Sequence, residues 1–392
     1  MKRVLWLASW YPNKMEPQTG DFVNRHAIAT SGFHPLNLVF VTKDLLPDQP
    51  EIKRVATDSN IHEYICYYAA SRSAFGFISK LYSLRQYFNQ HLIIIKELRK
   101  KREMPSIVHV HIAWRAGLIA LYLKLRYGIP YVITEHWTGY FEESPHAIQK
   151  KGFLFRLLLK QIFRNADVFL PVTQNLAELV NRTIASIPVK VVPNVVDISL
   201  FNTDNHVEPK RFRFIHVSSI LKQKNPDGIL RAFGQLIKSG TDAELQMVGP
   251  LNEEFRQVLS ENDYLKDRLI ISGELSYGEV AVEIKNASAF VLFSQIENLP
   301  CVILESLCCG IPVIATRVGG ISEVVGSKNG VLIEPGNEAM LVYAMQQMVR
   351  EYNMYDKPGI SRKACALFNY QTVGTEYVKI YKQVLGKNSQ QF

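Results

Sequence analysis

Scarce and badly placed cysteine narrows the chemistry first. The five cysteines (Cys66, Cys301, Cys308, Cys309 and Cys365) form no Cys-x-x-Cys pair and no cluster with histidine. That argues against a zinc site and against a disulfide framework. An odd, scattered set with two adjacent members reads as the reduced core thiols of a cytosolic protein. Long apolar runs are missing too: the dense stretch "FLFRLLLKQIF" is broken by charges and too short to cross a bilayer. The opening "MKRVLWLASWYP" imitates a signal peptide, but its apolar stretch of about seven residues runs into Tyr-Pro-Asn-Lys and reads better as a first buried strand. The 22 Gly and 18 Pro follow no period, which excludes collagen-like and low-complexity chains. No Gly-x-Gly-x-x-Gly follows the first strand of either half, which argues against a nicotinamide dehydrogenase.

What is present is a two-domain pattern. At 392 residues the chain exceeds the usual size of one core. Short apolar runs of buried-strand type recur: "RVLWLAS", "NLVFVT", "SIVHVHI", "YVITEH", "VFLPVT" and "VKVVPN", then "FRFIHVSS", "ELQMVG", "RLIISG", "AFVLFS", "PVIATRV" and "GVLIEP". Helical patterns separate the first set, around 20–31, 77–101, 115–127, 150–165 and 174–184. Helices of the second half open with start signals: Asn225 before Pro226, Ser276 with Glu279 as a capping box, and Asn337. Such alternation implies parallel sheets covered on both faces, hence two doubly wound α/β halves joined near 197–212. The ligand crevice of such sheets lies at the carboxyl ends of the strands, and two facing domains put it in the cleft between them.

The stretch "ENLPCVILESLCCGIPV", residues 297–313, poses a chemical question. The helical neighbours of Glu305 are Cys301, Val302, Cys308 and Cys309, all apolar, and an unpaired carboxylate on such a stripe is costly. Upstream, the loop "QIENL" follows a strand, and Pro300 suits the first turn of a helix whose free N–H groups make an anion site. Gly319-Gly320 permits close backbone approach and opens a second helix. Two helix N-termini side by side suit a diphosphate. Glu297 is placed for sugar hydroxyls. Glu305 either accepts both hydroxyls of a ribose or pairs with a backbone N–H or a lysine.

The longer stretch "SQIENLPCVILESLCCGIPVIATRVGGISEVV…NGVLIEPGN" resembles the nucleotide-sugar signature of family-4 retaining glycosyltransferases. Glu297, Glu305, Gly310, Pro312, Val313, Gly319, Gly320 and Glu323 match it in order. "VVPNVVDISLF", with Asn194 and Asp197, is similar to the family's interdomain segment; "IVHVHIAWRAG" and "IPYVITEHWTG" are similar to its His-containing strand ends. Nearly the whole chain is covered. The resemblance implies the GT-B fold, two Rossmann-like domains facing across a cleft. The acceptor domain would span 1–200 and the donor domain 201–368, with a tail helix in 369–392 packing back on the first domain.

The same resemblance implies a reaction: transfer of a sugar, with retention, from a UDP- or GDP-linked donor to a glycan or lipid-linked acceptor of the cell envelope. It implies no cofactor, and no Asp-x-Asp metal motif is present. Lys224 would hold the donor diphosphate. Ser219 stands where the family usually has an arginine, so one charge-assisted contact is missing, and Lys222 either reaches in to compensate or is simply solvated. Glu297, Asn298, Leu299, Pro300, Glu305, Gly319 and Gly320 complete the donor side, and Gly20 approaches the donor phosphate. His111 ends a strand and should point towards the cleft, with His109 on the same parity; His111, Glu135 and His136 would serve the acceptor. The catalytic set is then His111, Lys224 and Glu297. No residue fills the place of the carboxylate nucleophile of a double displacement, which leaves front-face attack with the leaving phosphate assisting deprotonation of the acceptor. Trp10, Tyr11, Trp114 and Trp137 are sugar-stacking surfaces or core aromatics. The alternatives are a phosphorylase of the same fold, marked by bound pyridoxal phosphate, an epimerase, marked by interconversion of a free nucleotide sugar, and a non-catalytic binding subunit, which donor turnover separates from an enzyme.

Charge is unevenly placed. Residues 1–205 hold 25 Lys and Arg against 16 Asp and Glu, while 206–392 hold 20 of each. The excess concentrates between Arg72 and Arg102 and in "QKKGFLFRLLLKQIFR". No nucleic-acid motif accompanies it. A basic amphipathic surface suits anionic lipid, so the expectation is a cytoplasmic protein with peripheral contact at the inner face of the membrane.

Overall fold

The computed structural model describes residues 2–44, 50–58, 60–70 and 76–389. The chain forms two compact units, Met1–Val195 with Tyr370–Phe392, and Val196–Asn369. The first contains β1 (Val4–Ala8), α1 (Asp21–Ser31), β2 (Leu36–Asp44), β3 (Glu51–Asp58), β4 (Ile61–Ala69), α2 (Gly76–Lys100), β5 (Val108–His111), α3 (Ala116–Tyr127), β6 (Tyr131–Glu135), α4 (Phe153–Asn165), β7 (Val168–Pro171) and α5 (Gln174–Thr183). The second contains β8 (Phe212–Val217), α6 (Pro226–Lys238), β9 (Ala243–Val248), α7 (Glu253–Glu261), β10 (Leu269–Gly273), α8 (Tyr277–Lys285), β11 (Ala289–Leu292), α9 (Cys301–Cys308), β12 (Val313–Thr316), β13 (Gly330–Ile333), α10 (Glu338–Glu351) and α11 (Lys357–Phe368). The last helix, α12 (Tyr370–Ser389), returns to the first unit.

The first sheet runs β3-β4-β2-β1-β5-β6-β7 and the second β10-β9-β8-β11-β12-β13. All pairings are parallel except β3 with β4. Strands such as β1 and β11 are buried along their whole length, because helices cover both faces. Strand order reverses at β1/β5 in the first sheet and at β8/β11 in the second. These switch points are where doubly wound sheets open a crevice.

Two expectations are corrected. "VKVVPN" makes no strand among the described residues; it contributes one isolated bridge, Val189 to Phe169. The β3–β4 pair has no counterpart in the sequence reading, because β3 is an exposed antiparallel edge carrying Glu51, Lys53 and Arg54 rather than an apolar run. The tail helix buries Val373, Tyr377, Ile380, Tyr381 and Val384 against Val23 and Ala27 of α1 and Val4 and Trp6 of β1. That spacing is one helical stripe. Gly374 lets the two helices meet closely: a Cβ there would lie 2.0 Å from the Ala29 carbonyl oxygen. Among the described residues no helix is long and apolar enough to cross a membrane.

Candidate functional site

In the second unit three loops meet at the carboxyl ends of β8, β11 and β12. After β8, Ile220 (φ 51°) turns the chain into a single 3-10 turn, Lys222–Lys224. Asn225 then caps α6, its side chain accepting the Gly228 N–H. The Gln295 N–H donates to the Gln223 carbonyl at 2.8 Å, which ties this turn to the loop after β11. There Lys224 Nζ donates to Glu297 Oε1, with the two side chains 16% and 8% exposed. The third loop closes over the second: Gly320 N–H donates to the Asn298 carbonyl at 2.9 Å. A Cβ on Gly319 (φ 53°) would lie 2.1 Å from the Glu297 carbonyl oxygen, so the contact requires glycine. Lys224, Glu297, Asn298, Gly319 and Gly320 are thus gathered in one cluster.

The remaining donor-side residues lie around it. Leu299 is buried and Pro300 half-buried. Pro300 is the N-cap of α9 and not a residue of its first turn. The double glycine opens only the 3-10 turn Ile321–Glu323, so the second helix N-terminus expected there is not that of an α-helix. Ser219 and Lys222 are exposed, and Lys222 lines a cavity of about 200 Å³ with Asn225, Arg231 and Gln295. One residue in this region was not singled out from sequence. His216, fully buried on β8, meets the Val291 carbonyl through Nδ1 (2.8 Å) and Ser218 Oγ through Nε2 (2.7 Å). Ser218 Oγ in turn accepts the Ile220 N–H at 2.9 Å. Burial pulls His216 down to about 4, so the imidazole is neutral and braces the turn that carries Lys224.

Glu305 is 3% exposed on the inner face of α9. A tyrosine answers the question its position raised: the Tyr277 hydroxyl, at the start of α8, donates to Glu305 Oε1 at 3.1 Å.

In the first unit His111 is fully buried, which corrects the expectation that it points into a cleft. Its ring stacks on Trp6 (4.0 Å, 27°) beside His109 (4.2 Å) and His136 (6.2 Å). Neither ring nitrogen has a hydrogen-bond partner among the described residues. The reason is α12, which covers the face that β5 presents. Tyr381 OH meets His109 Nδ1 at 2.6 Å, His109 Nε2 meets Thr134 Oγ1 at 2.7 Å, and Tyr377 OH bridges Thr134 Oγ1 (3.4 Å) to His26 Nδ1 (3.1 Å). His26 Nε2 ends the chain on Asn194 Oδ1 at 3.3 Å. His136 packs on Phe22 at 4.4 Å. Burial holds all four imidazoles neutral, His26 at about 3 and the others well below their usual range.

Glu135 is also fully buried, and its oxygens are occupied. Oε1 accepts the His136 and Trp137 N–H groups, and Oε2 the Ala113 N–H and the Tyr140 hydroxyl, all within 2.9 Å. Burial pushes its carboxyl up while these donors pull it down. It organises the strand-end loops and has no oxygen left unengaged for an acceptor sugar. Gly20 (φ 76°) caps α1, and a Cβ there would lie 2.5 Å from the Trp10 carbonyl carbon and the Tyr11 nitrogen. Tyr11 is core, its hydroxyl 2.6 Å from Glu63 Oε1. Trp114 packs at a tilt on Phe155 (4.1 Å, 46°), Trp10 approaches Phe22 (6.3 Å), and Trp137 packs on Tyr140 (5.6 Å). No group of three or more His, Cys, Asp or Glu among the described residues is arranged to hold a metal ion.

Comparison with known proteins adds the family. Residues 200–363 match the family described as Glycosyl transferases group 1, and residues 58–200 match Glycosyltransferase Family 4. The chain is 25% identical, over 78% of its length and 82% of the relative's, to N-acetyl-alpha-D-glucosaminyl L-malate synthase of Bacillus anthracis. It is 24% identical, over 96% and 94%, to a Bacillus subtilis glycosyltransferase provisionally assigned to teichuronic acid biosynthesis. Among solved structures, sucrose-phosphate synthase from Thermosynechococcus elongatus has a TM-score of 0.77 at 17% identity, covering 98% of this chain and 100% of that one. An Anabaena protein in complex with UDP has a TM-score of 0.70 at 15% identity, covering 97% and 100%. The two structural likenesses establish the fold.

Proposed function

Since the chain belongs to the group 1, family 4 glycosyltransferases, we propose that it moves a sugar, with retention, from a UDP- or GDP-linked donor to a glycan or lipid-linked acceptor of the cell envelope. The observation that carries this reading is the Lys224–Glu297 pair, held by three loops at the carboxyl ends of β8, β11 and β12 beside the N-terminus of α9. A cation and a helix N-terminus fit a diphosphate, and a carboxylate fits sugar hydroxyls. Lys224 releases Glu297 to the sugar as its charge turns to the diphosphate, and the leaving phosphate takes the acceptor proton. The protein's part is positioning and charge stabilisation. Names of relatives support the acceptor class: besides the two above, an alpha-monoglucosyldiacylglycerol synthase of Streptococcus pneumoniae and a human phosphatidylinositol N-acetylglucosaminyltransferase subunit match at 23% and 25% identity. Glu305→Gln tests the donor side. It should weaken nucleoside-diphosphate binding about 10- to 100-fold, the worth of a hydrogen bond to a charged group, with the fold retained by circular dichroism. Titration calorimetry giving wild-type affinity would refute the ribose role.

An anionic membrane completes the reading on the acceptor side. The solvent face of α4 carries Phe153, Leu154 and Leu157, the first two 73% and 66% exposed, among Arg156, Lys160 and Arg164 and no acid. The N-terminal half of α2 adds exposed Ile78 and Leu81 beside Lys80 and Arg85. Both helices flank one loop: Trp114 packs on Phe155 of α4, and the Arg115 guanidinium lies 5.9 Å from the Tyr87 ring of α2. The far half of α2 contributes less than its charge count suggested, since Glu97 binds Arg54 (2.8 Å) and Lys101 (3.0 Å); Arg72 lies outside the described residues. Each basic residue near an anionic surface is worth about 1 kcal/mol. Co-sedimentation with anionic vesicles should therefore fall with added salt and after Arg156→Gln with Lys160→Gln. Equal binding to neutral vesicles would contradict it.

A further inference from the structure

We propose that Arg115, with the buried hydroxyls of Tyr68 and Tyr87 beside it, is an anion site of the first unit that receives the phosphate of a phosphorylated acceptor. The acceptor role rests on the glycosyltransferase reading given above; the anion site rests on geometry alone. Arg115 is exposed at the start of α3, in the loop that leaves β5 at the switch point of the first sheet. Among the described residues it has no carboxylate partner, and its guanidinium lies 5.9 Å from the Tyr87 ring instead.

Tyr68 on β4 and Tyr87 on α2 are fully buried, and neither hydroxyl has a hydrogen-bond partner among the described residues. The polar groups that face them, Ser83 and Arg115 at Tyr68 and Ser9 at Tyr87, stop short of bonding geometry. Ser9 is committed elsewhere. Its Oγ lies 2.9 Å and 2.5 Å from the Ile112 and Trp114 carbonyl oxygens and accepts the Ala116 N–H at 3.3 Å. A buried hydroxyl left unpaired is costly, and here two of them adjoin one unpaired cation. A guanidinium fork and two O–H groups offer donors, and an oxyanion supplies acceptors to all three. The loop is held in an unfavourable shape to present them: Ile112 (φ 66°) and Arg115 (φ 72°) are non-glycine residues in the left-handed region. Besides Ser9, the Glu135 carboxylate secures it by accepting the Ala113 N–H at 2.9 Å. The same loop lies between α2 and α4, which expose Ile78, Leu81, Phe153 and Leu154. A phosphate that joins a sugar to a lipid needs such neighbours; a soluble sugar phosphate offers the same anion without the chain.

Titration of the whole protein with inorganic pyrophosphate, read by tryptophan fluorescence, tests the site, because all four tryptophans lie in the first unit and Trp114 adjoins Arg115. Arg115→Gln should weaken binding about 10- to 100-fold, and Arg115→Lys by less, since the charge stays and the fork is lost. Tyr68→Phe and Tyr87→Phe should each weaken it about 3- to 10-fold while raising the melting temperature, because each removes a buried hydroxyl that has no partner. Lys224→Ala, in the second unit, should leave this titration unchanged. Farnesyl diphosphate binding more tightly than pyrophosphate would identify a lipid-linked phosphate, and equal binding a soluble sugar phosphate. No response to pyrophosphate, or one lost in Lys224→Ala and kept in Arg115→Gln, would overturn the site. A lower melting temperature in both tyrosine variants would overturn it as well, by showing the hydroxyls bonded within the protein. Failure of both UDP and GDP to bind would instead overturn the donor reading and with it the acceptor role, while the anion site would stand on its own titration.

Discussion

Lys224→Ala is expected to lower turnover about 10²- to 10³-fold, the usual cost of removing one preorganised charge-stabilising donor, with a smaller effect on donor affinity. The variant also leaves Glu297, 6% exposed, as a buried carboxylate without its cation, and breaking a buried pair from one side typically costs about 3–5 kcal/mol. Activity and stability must therefore be separated. Lys224→Met with Glu297→Gln replaces the pair by neutral groups of similar volume, and should recover the melting temperature without recovering turnover. Lys222→Ala is the control: the side chain is exposed and its removal should change turnover little. If Lys222→Ala proves the more damaging, the diphosphate contact has moved to Lys222, as the loss of charge at Ser219 would allow.

Acid should unfold this protein well before its carboxylates titrate, and the first unit should go first. Burial pulls His26 to about 3 and His91 and His216 to about 4, and holds His109, His111 and His136 well below the usual range. The unfolded chain takes up protons near pH 6.5 and the folded one does not. Stability is therefore full above that pH and lost as pH falls through it. By pH 5 each of His26, His91 and His216 costs about 2 kcal/mol. Glu135 works in the opposite sense, since its raised carboxyl is relieved by protonation, but one group does not offset five imidazoles in the same unit. All four tryptophans (Trp6, Trp10, Trp114 and Trp137) lie in the first unit, and Trp6 stacks on His111. Tryptophan fluorescence thus reports that unit alone. Its thermal midpoint should be flat above pH 7 and fall steeply between 6.5 and 5, and His26→Gln should reduce the slope by about one proton. A midpoint constant from pH 7 to pH 5 would show that the imidazoles are not held neutral.

By itself the sequence determined what is local. The six strands of the second sheet, helices α1 to α5 of the first unit and the caps at Asn225, Ser276 and Asn337 were legible, because apolar periodicity and capping chemistry act over a few residues. The donor-side cluster was legible for a related reason: Lys224, Glu297, Gly319 and Gly320 sit in loops directly after strands, and a doubly wound sheet brings its strand ends together. Only the tertiary structure decided burial and partnership. The strand parity of His109 and His111 is visible in "VHVH"; that α12, some 272 residues from His109, covers that face is not. The tyrosine on Glu305, the four donors on Glu135 and the brace at His216 belong to the same class. A side chain's protonation state and reach depend on which distant element closes over it, and periodicity carries no information about that. The edge strand β3 escaped for the converse reason: a charged, exposed antiparallel edge has no apolar pattern to read, and its strand state comes from the hydrogen bonds that β4 supplies.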